Sequence, residues 1–296
     1  MVDANKLHFG IKTTQYFPYE VIRRVWLEAD TIPAIEHAWL FDHPMPIMRS
    51  DPSGPCPDGW TLLTALAAQT KRLRLGLMVA SNANQTPPQL AKRAATVDII
   101  SNGRLEFGIG AGGSVEREHT AYGTPLFPAA ESIRRLGEAC QIIRRMWTEP
   151  VVDFEGRYYQ FKEIYCEPKP VQKPTPPFVI GGVGEQLTLR VVAQYADVWN
   201  YPRYPLGTVE EFQHKNQILD KYCAEIGRDP DSLVRSVQFI IDPKENPATT
   251  RQVVQSFVAA GATHIVLGPR SMDEGIAHWL AEEIIEPIRE AVTGER

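Results

Sequence analysis

Cysteine is scarce and unpaired in this chain. Cys56, Cys140, Cys166 and Cys223 stand singly in 296 residues, with no C-x-x-C pair. That excludes a disulfide framework and a thiolate metal site, and reads as reduced structural thiols of a cytoplasmic protein. Long apolar runs are missing too. Ile240-Ile241 and Ile265 to Leu267 fall far short of the roughly 20 residues a membrane-spanning helix needs. Met1 to Gly10 lacks the apolar stretch of a signal peptide. Neither sign of charge dominates: the net charge of −5 is too mild to suggest nucleic acid or a membrane surface as partner. No H-E-x-x-H, Walker or G-x-S-x-G motif occurs, so no metal is expected and a serine hydrolase is disfavoured. His119, His214, His264 and His278 read as surface or packing residues.

What the chain has is apolar content and regular alternation. Hydrophobic residues make up 43% and charged residues 23%, enough for a large core without covalent staples. Short apolar runs alternate with amphipathic segments along the whole chain. Strands are expected at Leu7 to Thr13, Ala38 to Phe41, Leu73 to Val79 and Arg104 to Gly110, then at Phe178 to Ile180, Asp197 to Trp199, Ser236 to Ile241 and Thr263 to Leu267. Helices are expected between them, among them Pro88 to Ile100, Ala130 to Trp147 and Gly184 to Tyr195, with Asp273 to Val292 closing the chain. Strands that are apolar on both faces and joined by helices imply a parallel sheet. Eight such units in a chain of this length favour a closed barrel. The expected fold class is α/β, a (β/α)8 TIM barrel forming one domain over residues 1–296. Two insertions interrupt it: a proline-rich loop, Pro44 to Gly59, after strand two, and a hairpin with a proline-studded excursion, Val151 to Pro177, in the unit of strand four. The arginine-bearing face of the helix over Glu131 to Arg145 reads as solvated.

Barrel active sites lie at the C-terminal strand ends, and here those ends are rich in chemistry. Strand one ends in Lys12-Thr13-Thr14-Gln15, strand two in Asp42-His43, strand three in Val79-Ala80-Ser81-Asn82 and strand six in Trp199-Asn200. A histidine there can pass a proton near neutral pH, and the adjacent aspartate can set its charge or bind a heterocyclic N–H. Taken alone, an Asp-His pair also suits a turn; its place at a strand end favours function. Gly181-Gly182-Val183-Gly184 joins a strand to a helix, where backbone N–H groups can approach a phosphate. Gly110-Ala111-Gly112-Gly113 either shapes a turn or makes room for a flat ring.

These motifs, in this order, resemble the luciferase-like monooxygenase superfamily. The resemblance rests on Asp42-His43, on Gln69 to Gly76, on Ala91 to Asp98, and on the run from Ser101 to Gly112 followed by Glu118 and Ala121-Tyr122-Gly123. It continues through Pro168-Lys169-Pro170-Val171-Gln172, Pro177 to Gly182 and Ala196-Asp197-x-Trp199-Asn200. It spans about Leu7 to Ile288 and looks closest to the coenzyme F-420-dependent oxidoreductases. That branch implies a deazaflavin across the barrel mouth, a non-prolyl cis peptide at Met78–Val79, and the coenzyme phosphate at Gly181-Gly182-Val183. The implied catalytic residues are His43 and Asp42. The implied coenzyme contacts are Asp42, Met78, Val79, Ala80, Asn82, Gly110, Gly112, Gly181, Gly182, Val183 and Gly184. Gln15, Trp60 and Trp199 are assigned to a small-molecule substrate, and a homodimer is expected. The proline-rich loop is expected to wall the substrate site, with Gly113 leaving room where close relatives often carry a bulky side chain. The same motifs leave open a two-component monooxygenase using flavin mononucleotide (FMN), and a non-catalytic flavin-binding protein.

Overall fold

The computed structural model describes residues 6–47, 51–113, 115–202 and 207–293. The first half runs β1 (His8–Lys12), α1 (Tyr19–Thr31), β2 (His37–Leu40), α2 (Gly59–Gln69), β3 (Arg74–Leu77), β4 (Ala80–Ser81), α3 (Pro87–Ile100), β5 (Phe107–Gly110), α4 (Glu116–Tyr122) and α5 (Ala129–Thr148). The second half runs β6 (Val152–Glu155), β7 (Gln160–Ile164), β8 (Phe178–Gly181), α6 (Thr188–Tyr195), β9 (Val198–Pro202), α7 (Val209–Glu225), β10 (Val234–Ile241), α8 (Pro247–Ala259) and β11 (His264–Pro269). It closes with α9 (Ile276–Leu280), a π-helical turn and α10 (Glu286–Thr293).

The main sheet is parallel throughout, in the order β3-β2-β1-β11-β10-β9-β8-β5-β4. β4 continues the path of β3 beyond the Met78–Val79 peptide, which is cis where the resemblance places it. Ala80 pairs with Ile109, and Leu75 bridges to Leu105, so the two ends of the sheet meet and the barrel closes. Among the described residues the strands of this sheet number eight once β3 and β4 are counted together. β6 and β7 pair only with each other and form the expected hairpin outside the barrel.

Side chains alternate along each strand, so the barrel interior fills in layers. A middle layer holds Trp39, Met78, Val179, Val198 and Val266. Gly76 makes room for it, since a Cβ there would sit 2.6 Å from the Trp39 ring. Outside the strands, Phe107, Trp147 and Phe178 interlock edge-to-face or tilted at 5.1–5.4 Å. The Trp147 indole N–H reaches Ala91 O at 3.0 Å, fastening α5 to α3. Burying such aromatic surface is the main stabilising term in a fold of this kind.

The arginine face of α5 is only in part the solvated face expected from sequence: Arg134 is exposed and Arg145 forms a surface pair with Glu149, but the other two arginines are packed. Arg144 lies 4.8 Å over the Phe178 ring and donates to Tyr195 O, and Arg135 lies 3.8 Å over Phe127. Long arginine stems cover apolar surface while their planar heads stack and donate, so charge alone misjudged this face.

The layer at the N-terminal strand ends is polar. His37 stacks on His264 at 3.9 Å, and Glu106 reaches His264 at 3.6 Å and Arg74 at 2.5 Å. The Trp39 indole donates to His37 Nδ1, which fixes the proton of the neutral ring on Nε2. Burial, with His264 alongside, holds the His37 pKa well below its ordinary value. Burial pushes the Glu106 carboxyl up, but His264, Arg74 and His37 outweigh it and hold it far below the usual range. The unfolded chain protonates Glu106 near its ordinary 4.5, whereas the folded chain keeps it ionised. The stability contributed by this carboxylate is therefore present above pH 4.5 and lost as the pH falls below it. Glu106→Gln is expected to cost about 3–5 kcal/mol near pH 7, the usual result of breaking a buried pair. Denaturant melts of both proteins should show that gap narrowing below pH 4.5. A gap constant from pH 7 to pH 3.5 would refute this account of the layer.

Candidate active site

A cavity of about 770 Å³ opens at the C-terminal strand ends, in the size range of small-molecule and cofactor pockets. Its walls come from loops that local sequence shapes. The Met78-to-Ser81 bulge forms one side and Gly110 to Gly113 another. Gly112 has φ +106°, and a Cβ there would come within 2.7 Å of Ala83, so only glycine keeps this loop against the bulge.

Asp42 and His43 both line the cavity. Asp42 is buried and accepts from the Ser81 amide at 2.9 Å, which ties the end of β2 to the bulge. Burial pushes its carboxyl up to about 7. Near neutral pH it therefore exists both as carboxylate and as acid, able to accept or to donate a hydrogen bond. His43 Nδ1 lies 3.1 and 3.0 Å from the two oxygens of the buried Glu118 carboxylate. With Nδ1–H directed at the carboxylate, the ring presents Nε2 for proton exchange.

Glu118 had been visible only as one letter of a family motif, 75 residues from its partner. The short helix α4 that carries it was not foreseen from periodicity. Side chains around it hold it in place. His119 bonds to Gly113 O at 3.0 Å and Thr124 at 2.9 Å, and Tyr122 donates to Pro44 O in the loop after β2. Lys12, read from sequence only as part of a strand end and given no role, also lines the cavity, as does Arg270, which was not named from sequence.

The structure brings Asp42, His43, Met78, Val79, Ala80, Gly110, Gly112, Gly181 and Gly182 together around this one cavity. Other expected residues stand behind it. Asn82 is buried and donates to Tyr159 at 3.1 Å. Gln15 donates to Pro57 O and accepts from the Phe41 amide, stitching β1, β2 and the insertion together. Trp60, in the first turn of α2, is buried against Phe107 at 6.4 Å. Trp199 is fully buried and does not line the cavity, and its indole donates to Gly182 O at 2.8 Å, so it braces the glycine loop. Large polar side chains at strand ends satisfy neighbouring backbone as readily as they face a ligand, and sequence does not separate the two. Helix α6 begins at Thr188 and not at Gly184, because residues 182–187 form an irregular turn first. Gly182 has φ +131°. Val183 and Gly184 do not line the cavity, yet their amides make no hydrogen bond with the described residues. Ile47 of the proline-rich loop lines the cavity, while residues 48–50 of that loop lie outside the described residues. No helix among the described residues is long and apolar enough to cross a membrane.

Comparison with known proteins places this geometry in a family. An uncharacterised protein of Mycobacterium tuberculosis is 34% identical over 224 residues, covering 75% of this chain and 73% of that one. An F-420-dependent glucose-6-phosphate dehydrogenase of Amycolatopsis mediterranei is 28% identical over 192 residues, covering 64% of this chain and 54% of its own. Among solved structures, an F-420-dependent secondary alcohol dehydrogenase bound to an F-420–acetone adduct superposes with a TM-score of 0.83. It is 16% identical, and the match covers 96% of this chain and 99% of that one. The model of the luciferase-like monooxygenase family matches residues 12–292, and the chain belongs to that family.

Proposed function

We propose that this protein is a coenzyme F-420-dependent oxidoreductase that transfers a hydride between the deazaflavin and a C=C, C=N or C=O group of a small organic substrate. The observation that carries this reading is the His43–Glu118 pair facing the cavity with Asp42 beside it. The dehydrogenase relative, named for its use of F-420, supports the choice of coenzyme.

The residues present fit such a coenzyme. The bulge from Met78 to Ala80 and the glycines 110 and 112 line a largely apolar space with room for a fused ring. Asp42, with its carboxyl near 7, can pair with either a ring N–H or a ring carbonyl. The amides of Val183 and Gly184, unbonded among the described residues and beside Gly181 and Gly182, suit a phosphate. When bound, the deazaflavin supplies or takes up a hydride at a ring carbon and reacts poorly with oxygen. The protein moves the accompanying proton. His43 gives it to the substrate, or takes it, through Nε2, and Glu118 stabilises the imidazolium while it is charged. The apolar wall limits water around the reacting atoms.

The reading is tested by assaying turnover under strict anaerobiosis, with candidate alcohols, imines and activated alkenes. Deazaflavin absorbance should change in step with product, without oxygen. A requirement for oxygen, with oxygen found in the product, would replace this reading by an FMN-dependent monooxygenase on the same barrel.

A further inference from the structure

Lys12 is a cation in an unusual position. It ends β1 inside the barrel mouth and lines the cavity, half-buried. Its ammonium donates to Met78 O at 3.2 Å and to Gln238 Oε1 at 2.9 Å. Both acceptors are neutral. Among the described residues no carboxylate pairs with it, and burial alone lowers its pKa to about 8. An ammonium carries three N–H donors, so one remains for a ligand. A desolvated charge held only by neutral oxygens is costly, and an anion brought to it would be correspondingly favoured.

The neighbouring strand leaves space for that anion. β1 pairs with β11 through Ile11 and Leu267, which sets Gly268 beside Lys12. Gly268 lines the cavity there and puts no side chain into the space beside Lys12. Two residues further toward the rim, Arg270 also lines the cavity and is exposed, with no ion pair among the described residues. On its other side β1 pairs with β2, the strand that leads into Asp42 and His43.

From this arrangement we infer that the substrate of this site carries a carboxylate, anchored by Lys12 with Arg270 at the rim, while its reactive group lies toward His43. A carboxylate matches the donors present. The single remaining ammonium N–H and the planar guanidinium fork suit two oxygens, whereas a phosphate dianion requires more donors than the floor provides. The inference rests on the proposed function only in taking this cavity as the active site.

The test needs no coenzyme, so its failure is distinct from a failure of the deazaflavin reading. Benzoate and its neutral isostere benzamide are titrated into the purified protein by calorimetry, using wild type and Lys12→Met. In wild type, benzoate should bind about tenfold more tightly than benzamide, the range of a charge-assisted hydrogen bond in a partly desolvated site. In Lys12→Met that preference should fall severalfold, to what the exposed guanidinium of Arg270 alone supplies, with the loss of affinity falling mainly on benzoate. Circular dichroism and thermal melting confirm that the variant is folded. Equal binding of the two probes to wild type, absence of benzoate binding, or an undiminished preference in the variant would each overturn the assignment.

Discussion

His43→Ala should lose about a hundredfold or more in turnover, the ordinary share of a positioned acid–base group, while folding and binding coenzyme as the wild type does. The imidazole is partly exposed at the cavity wall, and what it makes in the fold is peripheral: a pair with Glu118 and a tilted contact with Phe41 at 5.5 Å. Its removal leaves the barrel core untouched but strands the buried Glu118 carboxylate, so a lower melting temperature with the fold intact is expected. Glu118→Gln should give a smaller loss. It keeps an acceptor for Nδ1–H, but removes the charge that stabilises the imidazolium during proton transfer. Rates for both variants, beside coenzyme affinities and melting curves, separate this role from a structural one. Near-normal turnover in folded His43→Ala would remove the residue from the mechanism.

The barrel was legible in the sequence because its strands are apolar on both faces and its connections are helical. That pattern implies a parallel sheet, and eight units in a chain of this length favour its closure into a barrel. The Asp42-His43 pair was legible for a related reason: two polar residues directly after a buried strand must lie at its C-terminal end. Much of the resemblance turns out to be structural fastening. Gln172 bonds to Asp98 and to Leu105 O, and Arg104 donates to the carbonyls of Ala67, Thr70 and Leu73. Such residues hold the βα units together whatever the chemistry above them. What stayed hidden depends on contacts distant in sequence. Glu118 meets His43 only because α4 folds back over the loop after β2. Lys12 looks like an ordinary strand terminus until β10 places Gln238 against it. Trp199 and Gln15 show the converse, since conspicuous residues at strand ends are absorbed by nearby carbonyls and amides.

The second large effect concerns the coenzyme, on which the functional account turns. Gly182 is the position where a side chain would do most harm to phosphate binding. Its φ of +131° excludes L side chains at low cost, and a Cβ there would meet Thr188 at 2.8 Å, beside the amides of Val183 and Gly184, which are unbonded among the described residues. Gly182→Val should therefore weaken coenzyme binding about tenfold or more, one lost interaction of roughly 1.4 kcal/mol being worth that factor. The decisive measurement is a fluorescence-quenching titration of wild type and Gly182→Val with coenzyme F-420 and, separately, with flavin mononucleotide. The account predicts that wild type prefers the deazaflavin by about tenfold or more, and that the valine variant, still folded, loses that affinity. Tight binding of flavin mononucleotide with no measurable binding of F-420 would contradict it.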